Sequence, residues 1–166
     1  GPTIRFDELV ENFGAGSGII TINGLGGDDR LEVDHTAAVN GWQFTDVIFD
    51  GGPPSASDSF SLLGSALADS LLYLPAGANS GTIDITTATF TTVYTLSNVE
   101  SALVDGNGGA DTLDVGTTTG SQEIDDAVVT LGFEPESGLV EPFTTAGAAQ
   151  LPLSYQNMPD VDLISD

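Results

Sequence analysis

Aspartate and asparagine residues recur within glycine-rich segments of this chain, and their oxygen atoms are ligands that a hard cation prefers. Calcium takes about six to eight oxygen ligands and accepts backbone carbonyls from turns together with carboxylates. Zinc and copper are poor alternatives, because the chain has no cysteine and one histidine. The candidate calcium ligands are Asn23, Gly26, Asp28, Asp29, Asp50, Asp58, Asp105, Asn107, Gly109 and Asp111.

Four related segments begin at a nearly constant interval. Their first residues are Asn23, Asp50, Gly77 and Asp105, so the steps are 27, 27 and 28 residues. A fixed period of roughly 20 to 50 residues is typical of proteins built from stacked repeats. The spacing therefore predicts one structural coil for every 27 to 28 residues.

Apolar and polar residues alternate on both sides of the glycine-rich segments, as in 20–22, 31–33 and 113–115. This period of two predicts short strands, and further strand-like pieces at 41–44, 90–96 and 152–155 give three strands per coil. The sequence thus predicts an all-β fold, a parallel β-helix (β-solenoid) whose interior contains stacked apolar side chains. The expected stack consists of Leu31, Phe60, Ile83 and Leu113. An antiparallel β-sandwich is the alternative, since it also has short strands and frequent turns.

Stacked coils would place equivalent acidic residues above one another. Two bare carboxylates about 4.8 Å apart repel by about 3 to 4 kcal/mol at an effective dielectric constant of about 20. Solvent exposure or a bridging cation removes this cost, and calcium fits the available oxygen ligands. The two expected columns are Asp29, Asp58 and Asp111, and Asn23, Asp50 and Asp105.

The charge balance excludes several classes of binding partner. The 166 residues include 25 acidic and 2 basic side chains, which gives a net charge of −23. Such a surface repels phosphate backbones and anionic lipids, so we expect no nucleic acid and no membrane insertion. The sequence contains no Ser/His/Asp arrangement, phosphate-binding loop or metal-hydrolase spacing, so we expect no enzyme.

Two segments carry a family resemblance. Residues 26–31 and, more closely, 106–113 resemble the Gly-Gly-x-Gly-x-Asp-x-Leu repeat of RTX (hemolysin-type calcium-binding) proteins. The longer unit 96–115 is similar to coils of very large bacterial surface proteins. The resemblance implies a right-handed parallel β-helix, an exported or cell-surface location in bacteria, and calcium as the bound ion. RTX arrays repeat about every nine residues, whereas this chain matches at one corner per coil, and the segment 76–81 has no aspartate. We therefore expect calcium at one or two corners.

Domain organisation follows from the same pattern. Residues 1–2, Gly-Pro, are typical of a scar left by protease cleavage after cloning. Residues 3–166 are expected to form a single β-solenoid domain, excised from a longer chain, with an irregular corner near 134–142.

The function expected from these features is that of a calcium-associated structural or adhesive module, whose partners are calcium ions and neighbouring domains or copies of itself. One alternative is an acidic, salt-adapted solenoid that self-associates or binds carbohydrate without a specific metal. Trp42, Tyr94 and Tyr155 could stack on sugars in that case, although packing is the more ordinary role for such residues, as it is for His35. A minor alternative is a β-helix enzyme that acts on polysaccharides.

Overall fold

The computed structural model describes residues 3–4, 18–36, 44–53, 57–116, 124–144 and 146–164, and describes only the backbone of 3–4 and 124–126. These residues form strands and no helix, which confirms the all-β prediction. The strands are β1 (Thr3–Ile4), β2 (Gly18–Asn23), β3 (Arg30–Asp34), β4 (Phe44–Asp50), β5 (Ser59–Leu63), β6 (Ser70–Gly77), β7 (Ser80–Thr86), β8 (Thr91–Ser97), β9 (Ser101–Asp105), β10 (Thr112–Val115), β11 (Ile124–Leu131), β12 (Gly138–Thr144), β13 (Leu153–Gln156) and β14 (Asp160–Leu163).

The strands form two open sheets of seven strands each. Sheet A has the order β1-β3-β5-β9-β13-β12-β11, and sheet B has the order β14-β10-β6-β7-β8-β4-β2. Both sheets are mixed. In sheet A, neighbouring strands are parallel along the series β1-β3-β5-β9-β13. In sheet B, they are parallel along the series β2-β4-β8 and along the series β6-β10-β14. Antiparallel pairs join β11, β12 and β13, and also β6, β7 and β8.

The chain crosses repeatedly between the sheets. Strands β2, β4 and β8 of sheet B lead into β3, β5 and β9 of sheet A, and we call the connecting segments 24–29, 51–58 and 98–100 the first corners. Strands β5, β9 and β13 of sheet A lead into β6, β10 and β14 of sheet B through the second corners, at 64–69, 106–111 and 157–159. Corners of one type therefore lie beside one another along the edge of the fold.

The core lies between the two sheets and is formed by every second residue of the strands. Alternation is strict in β3, where Leu31 and Val33 are buried between exposed neighbours. The four residues of the expected apolar stack are all buried, but they divide between the sheets. Leu31 pairs with Phe60 in sheet A, whereas Ile83 and Leu113 lie in β7 and β10 of sheet B.

The constant period is wrong beyond its first step. Asn23 pairs with Asp50, as a 27-residue coil requires, but the next partner of Asp50 is Ser97. Gly77 is the last residue of β6, and β6 forms a hairpin with β7, so no corner begins at Gly77. Asp105 pairs with Leu63 in sheet A and directly precedes the second corner 106–111. The reason is that β6 and β7 lie between the first corners 51–58 and 98–100 and lengthen the chain there. In addition, similar sequences occur in the first corners and in the second corners.

The remaining expected pieces belong to the same two sheets. Residues 91–96 of the strand-like piece 90–96 lie in β8 of sheet B, and residues 153–155 of the piece 152–155 lie in β13 of sheet A. Residues 41–43 and Trp42 among them lie outside the described residues. The segment 134–142 forms the turn between β11 and β12 and most of β12, with Glu136 at a φ of 60°.

Candidate metal-binding corners

A glycine begins four of the corners because a larger residue does not fit there. These glycines are Gly24, Gly51, Gly64 and Gly106, and each donates its backbone N–H to a carbonyl of the next strand at 2.7 to 3.0 Å. A β-carbon on Gly24 would lie 2.6 Å from both Oδ2 of Asp29 and the carbonyl oxygen of Gly51. The glycine thus allows a carboxylate and a neighbouring carbonyl to approach the same small space.

In the first corners, acidic side chains of successive layers are joined through the backbone. The backbone N–H of Asp29 donates to Oδ1 of Asp58 at 2.6 Å, and the N–H of Asp58 donates to Oε2 of Glu100 at 2.7 Å. Oε1 of Glu100 accepts a further hydrogen bond from Asn79. The expected column of Asp29 and Asp58 therefore exists, and its third member is Glu100 in place of Asp111.

The second corners repeat this arrangement with a different pair. The backbone N–H of Asp69 donates to Oδ1 of Asp111 at 2.8 Å. Asp111 therefore stacks with Asp69, and its expected position above Asp58 is wrong. The physical reason is that Asp111 precedes a strand of sheet B, whereas Asp29 and Asp58 precede strands of sheet A.

Three carboxylate oxygens in these corners lie close to the space that a corner glycine leaves open. Oδ2 of Asp29, Asp58 and Asp111 is buried and has no hydrogen-bond partner among the described residues. The three residues are 6%, 1% and 0% exposed. In each case Oδ2 and a carbonyl oxygen of the following layer, from Gly51, Asn98 or Asn157, both lie within 2.7 Å of the position that a β-carbon on the corner glycine would occupy. Paired acceptors of this kind require a cation, a proton or water between them.

Asp69 shows how the same corner is satisfied by the chain itself. Its Oδ2 accepts the backbone N–H of Ser65 at 2.7 Å, and its Oδ1 lies 2.9 Å from the Ser65 hydroxyl. Asp69 is 2% exposed, so its burial matches that of the other three aspartates. The corner of Asp69 consequently needs no external charge, and the other three corners lack this donor.

A second kind of aspartate lies at the start of the corners. Oδ1 of Asp50 accepts the backbone N–H of Gly52 at 3.1 Å and the side-chain amide of Asn98 at 2.7 Å. Oδ1 of Asp105 likewise accepts the N–H of Asn107 at 2.9 Å and the amide of Asn157 at 2.6 Å. These residues close turns and join adjacent layers, which is a structural use of the carboxylate.

Burial shifts the pKa of one corner carboxyl group. The pKa of Asp111 is raised above its ordinary value, mainly because burial disfavours the charged form. The N–H of Asp69 opposes the rise, while the charges of Asp69, Asp105 and Glu136 add to it. A proton or a bound cation would therefore stabilise the carboxylate of Asp111.

The structure divides the predicted ligands between two junctions. No group of three or more histidine, cysteine, aspartate or glutamate side chains suited to a metal occurs among the described residues. Asp28 is exposed and lies outside the buried column. The first junction contains Asn23, Gly26, Asp28, Asp29, Asp50 and Asp58, and the second contains Asp105, Asn107, Gly109 and Asp111.

Sequence reasoning missed Asp69 and Glu100. The signal for Asp69 is present, since Gly64 precedes it by five residues and Leu71 follows it by two, as in the segments of Asp29 and Asp111. The segment 64–69 was overlooked because it lacks a Gly-Gly pair. Glu100 occupies a corner of three residues, 98–100, that has no glycine and so gave no signal.

The single histidine and two tyrosines are packing residues. His35 is fully buried, and its Nε2 lies 2.5 Å from the hydroxyl oxygen of Tyr94. Tyr94 is fully buried and Tyr155 is 3% exposed. Neither tyrosine can offer a stacking surface to a sugar, so the packing interpretation is confirmed for both.

No family model, curated protein or solved structure matches this chain. None of the described residues belongs to a helix of membrane-spanning length and apolarity.

Proposed function

We propose that this chain is a calcium-associated structural or adhesive module of an exported or cell-surface bacterial protein. The observation that carries the proposal is the set of buried Oδ2 atoms of Asp29, Asp58 and Asp111, which have no hydrogen-bond partner among the described residues and share the space beside a corner glycine with a carbonyl oxygen. Calcium accepts both kinds of oxygen and completes its shell with water. One carboxylate and one or more carbonyls at each corner fit such an ion.

The parallel strands support a related proposal about architecture. Strands β2, β4 and β8, together with β3, β5, β9 and β13, are taken as successive turns of a right-handed parallel β-helix that the hairpin of β6 and β7 interrupts. The acidic composition supports an environment rich in cations. In this proposal the module connects neighbouring domains of a long chain or copies of itself, and it performs no catalytic step.

A second candidate is an acidic module that binds no specific ion. Burial raises the pKa of Asp111, which is the direction that favours the neutral carboxyl group without a bound cation. The two candidates differ in what fills the same space beside the corner glycine, and they predict different responses to calcium.

Thermal unfolding separates the two candidates. The midpoint is measured in about 1 mM calcium, in about 1 mM magnesium and in excess chelator, at one ionic strength. A site with a Kd of about 0.1 mM adds about 1.4 kcal/mol, which raises the midpoint by about 3 to 6 °C per site for a chain of this size. An equal rise with sodium chloride alone would favour the module without a specific ion.

A further inference from the structure

We propose that the outer face of sheet A binds a neutral glycan chain in a groove lined by serine hydroxyls. The groove has a volume of about 350 Å³ and crosses β3, β5, β9 and β13. Ser61, Leu103 and Ser154 alternate with buried residues of their strands, so they face the side of sheet A opposite the core. The inference does not rest on calcium binding.

The serines form two rows across the parallel strands. Ser59 pairs with Ser101, and Ser61 is separated from Ser154 by Leu103. Neighbouring strands lie about 4.8 Å apart, so the groove presents hydroxyls at a regular spacing. These four hydroxyls make no hydrogen bond with any described residue. A hydroxyl both donates and accepts, and free hydroxyls of this kind match the hydroxyls of a sugar.

The groove is concave although it lies on the outside of a sheet. Ser59, Ser61 and Ser154 are half-buried, although no described strand lies over them, and Leu103 is half-buried between them. Leu103 supplies an apolar patch at the centre of polar groups. A few oriented polar groups around an apolar patch are typical of sites for small organic ligands.

The charge of the groove selects the class of ligand. Among the described residues of the lining, Arg30 is the one charged residue, and its guanidinium lies 2.5 Å from Glu32. Glu32 is the cross-strand neighbour of Ser61, so the charge of Arg30 is balanced at the edge of the groove in a chain whose net charge is −23. An acidic polymer would be repelled by the rest of the surface, whereas an uncharged polymer would not be repelled.

NMR titration of the 15N-labelled protein tests this proposal. The probes are hexasaccharides of β-1,4-glucose, β-1,3-glucose and α-1,4-glucose, with an oligogalacturonate as the acidic comparison, each in chelator and in calcium. We expect the backbone amides of Ser61, Ser101 and Leu103 to shift in a saturable way with at least one neutral probe, equally in chelator and in calcium.

Two groove variants and a matched control locate the site. Ser61→Asp and Ser154→Asp each place a charge in the groove and should weaken binding by about tenfold or more. Thr95→Asp adds the same charge to an exposed position on sheet B and should leave binding unchanged. Unshifted amides in sheet B show that the two groove variants remain folded, and unshifted amides in sheet A show the same for Thr95→Asp.

Several outcomes would overturn the proposal. They are no saturable shift with any neutral probe, shifts confined to residues outside the groove, equal weakening by Thr95→Asp, and binding that requires calcium. Binding of the oligogalacturonate alone, lost in Arg30→Gln, would indicate an anion site in place of a glycan groove. None of these results bears on the thermal response to calcium, so the two proposals fail separately.

Discussion

The backbone amide of Asp29 donates a 2.6 Å hydrogen bond to Oδ1 of Asp58, 29 residues further along the chain. The carboxylates of Asp58, Glu100 and Asp111 each accept a backbone N–H of the preceding layer, which reduces the repulsion that stacked bare carboxylates would have. One oxygen of Asp58 and of Asp111 joins two layers in this way, and the other oxygen has no hydrogen-bond partner among the described residues.

Replacing Asp111 by asparagine tests the charge of the carboxylate apart from its hydrogen bond with the backbone N–H of Asp69. Asp111→Asn keeps the Oδ1 acceptor and offers an amide donor to the carbonyl of Asn157. In chelator we expect it to be more stable than the wild type by about 1 to 2 kcal/mol in urea unfolding, because an unpaired buried acceptor is removed. In calcium the gain should shrink or reverse.

Asp69→Asn is the matched control for that variant. Both oxygens of Asp69 accept hydrogen bonds from Ser65, and removal of the carboxylate charge weakens both. We expect a loss of about 1 to 3 kcal/mol in chelator and in calcium alike. Equal effects of the two substitutions would contradict the distinction between the corners.

The corner glycine should be intolerant of even one methyl group. Gly106→Ala would place a β-carbon 2.5 Å from the carbonyl oxygen of Asn157 and in contact with Oδ2 of Asp111. We expect it to lower the free energy of unfolding by about 2 to 3 kcal/mol. At Gly26 the nearest described atom would be 3.9 Å away, so Gly26→Ala should change stability by less than about 0.5 kcal/mol. Urea unfolding of the two variants decides the point.

One first corner contains strain that can be relieved. Leu25 has a φ of 73° and is 75% exposed, whereas Asn107 occupies the equivalent position of a second corner with a φ of 62°. A left-handed backbone costs a leucine about 1 to 2 kcal/mol, and asparagine tolerates it better. Leu25→Asn should therefore raise the free energy of unfolding by about 1 kcal/mol. Leu67→Asn, at an exposed corner position without a positive φ, should have little effect.

His35 should make the fold sensitive to acid. Burial lowers the pKa of His35 from 6.5 to about 4, against a smaller opposing effect of Asp34. Because the folded-state pKa lies below the unfolded-state value, the stability that depends on neutral His35 is complete above pH 6.5 and is lost as the pH falls toward 4. The loss is about 3 kcal/mol at most. Since the chain has one histidine, its imidazole signal can be titrated by NMR, and a midpoint near 6.5 would contradict this account.

The sequence predicted local structure better than it predicted stacking. Alternation in β3, β5, β9 and β10 identified strands, and the glycines with a following aspartate identified corners. The true partners of these corners depend on where strands pair, and the hairpin of β6 and β7 is a local insertion that a constant period cannot reveal. Two similar corner sequences at different junctions therefore appeared as one repeating series.

The individual ligands were harder to predict than the corners. Asp50 and Asp105 carry the same residue type as Asp58 and Asp111, yet they accept hydrogen bonds from Asn98 and Asn157 and close turns. Burial separates the two kinds, and burial depends on which layer covers each corner. Glu100 entered its column because the side chain is long enough to reach the N–H of Asp58, which no motif indicates.

Calorimetric titration of calcium into the wild type and two variants tests the central claim most directly. One variant is Asp29→Asn, Asp58→Asn and Asp111→Asn combined, and the other removes the exposed charges of Asp160 and Asp162. The account predicts a saturable heat for the wild type that survives in the Asp160→Asn, Asp162→Asn protein and disappears in the corner variant. No saturable heat in the wild type, or an unchanged heat in the folded corner variant, would contradict it.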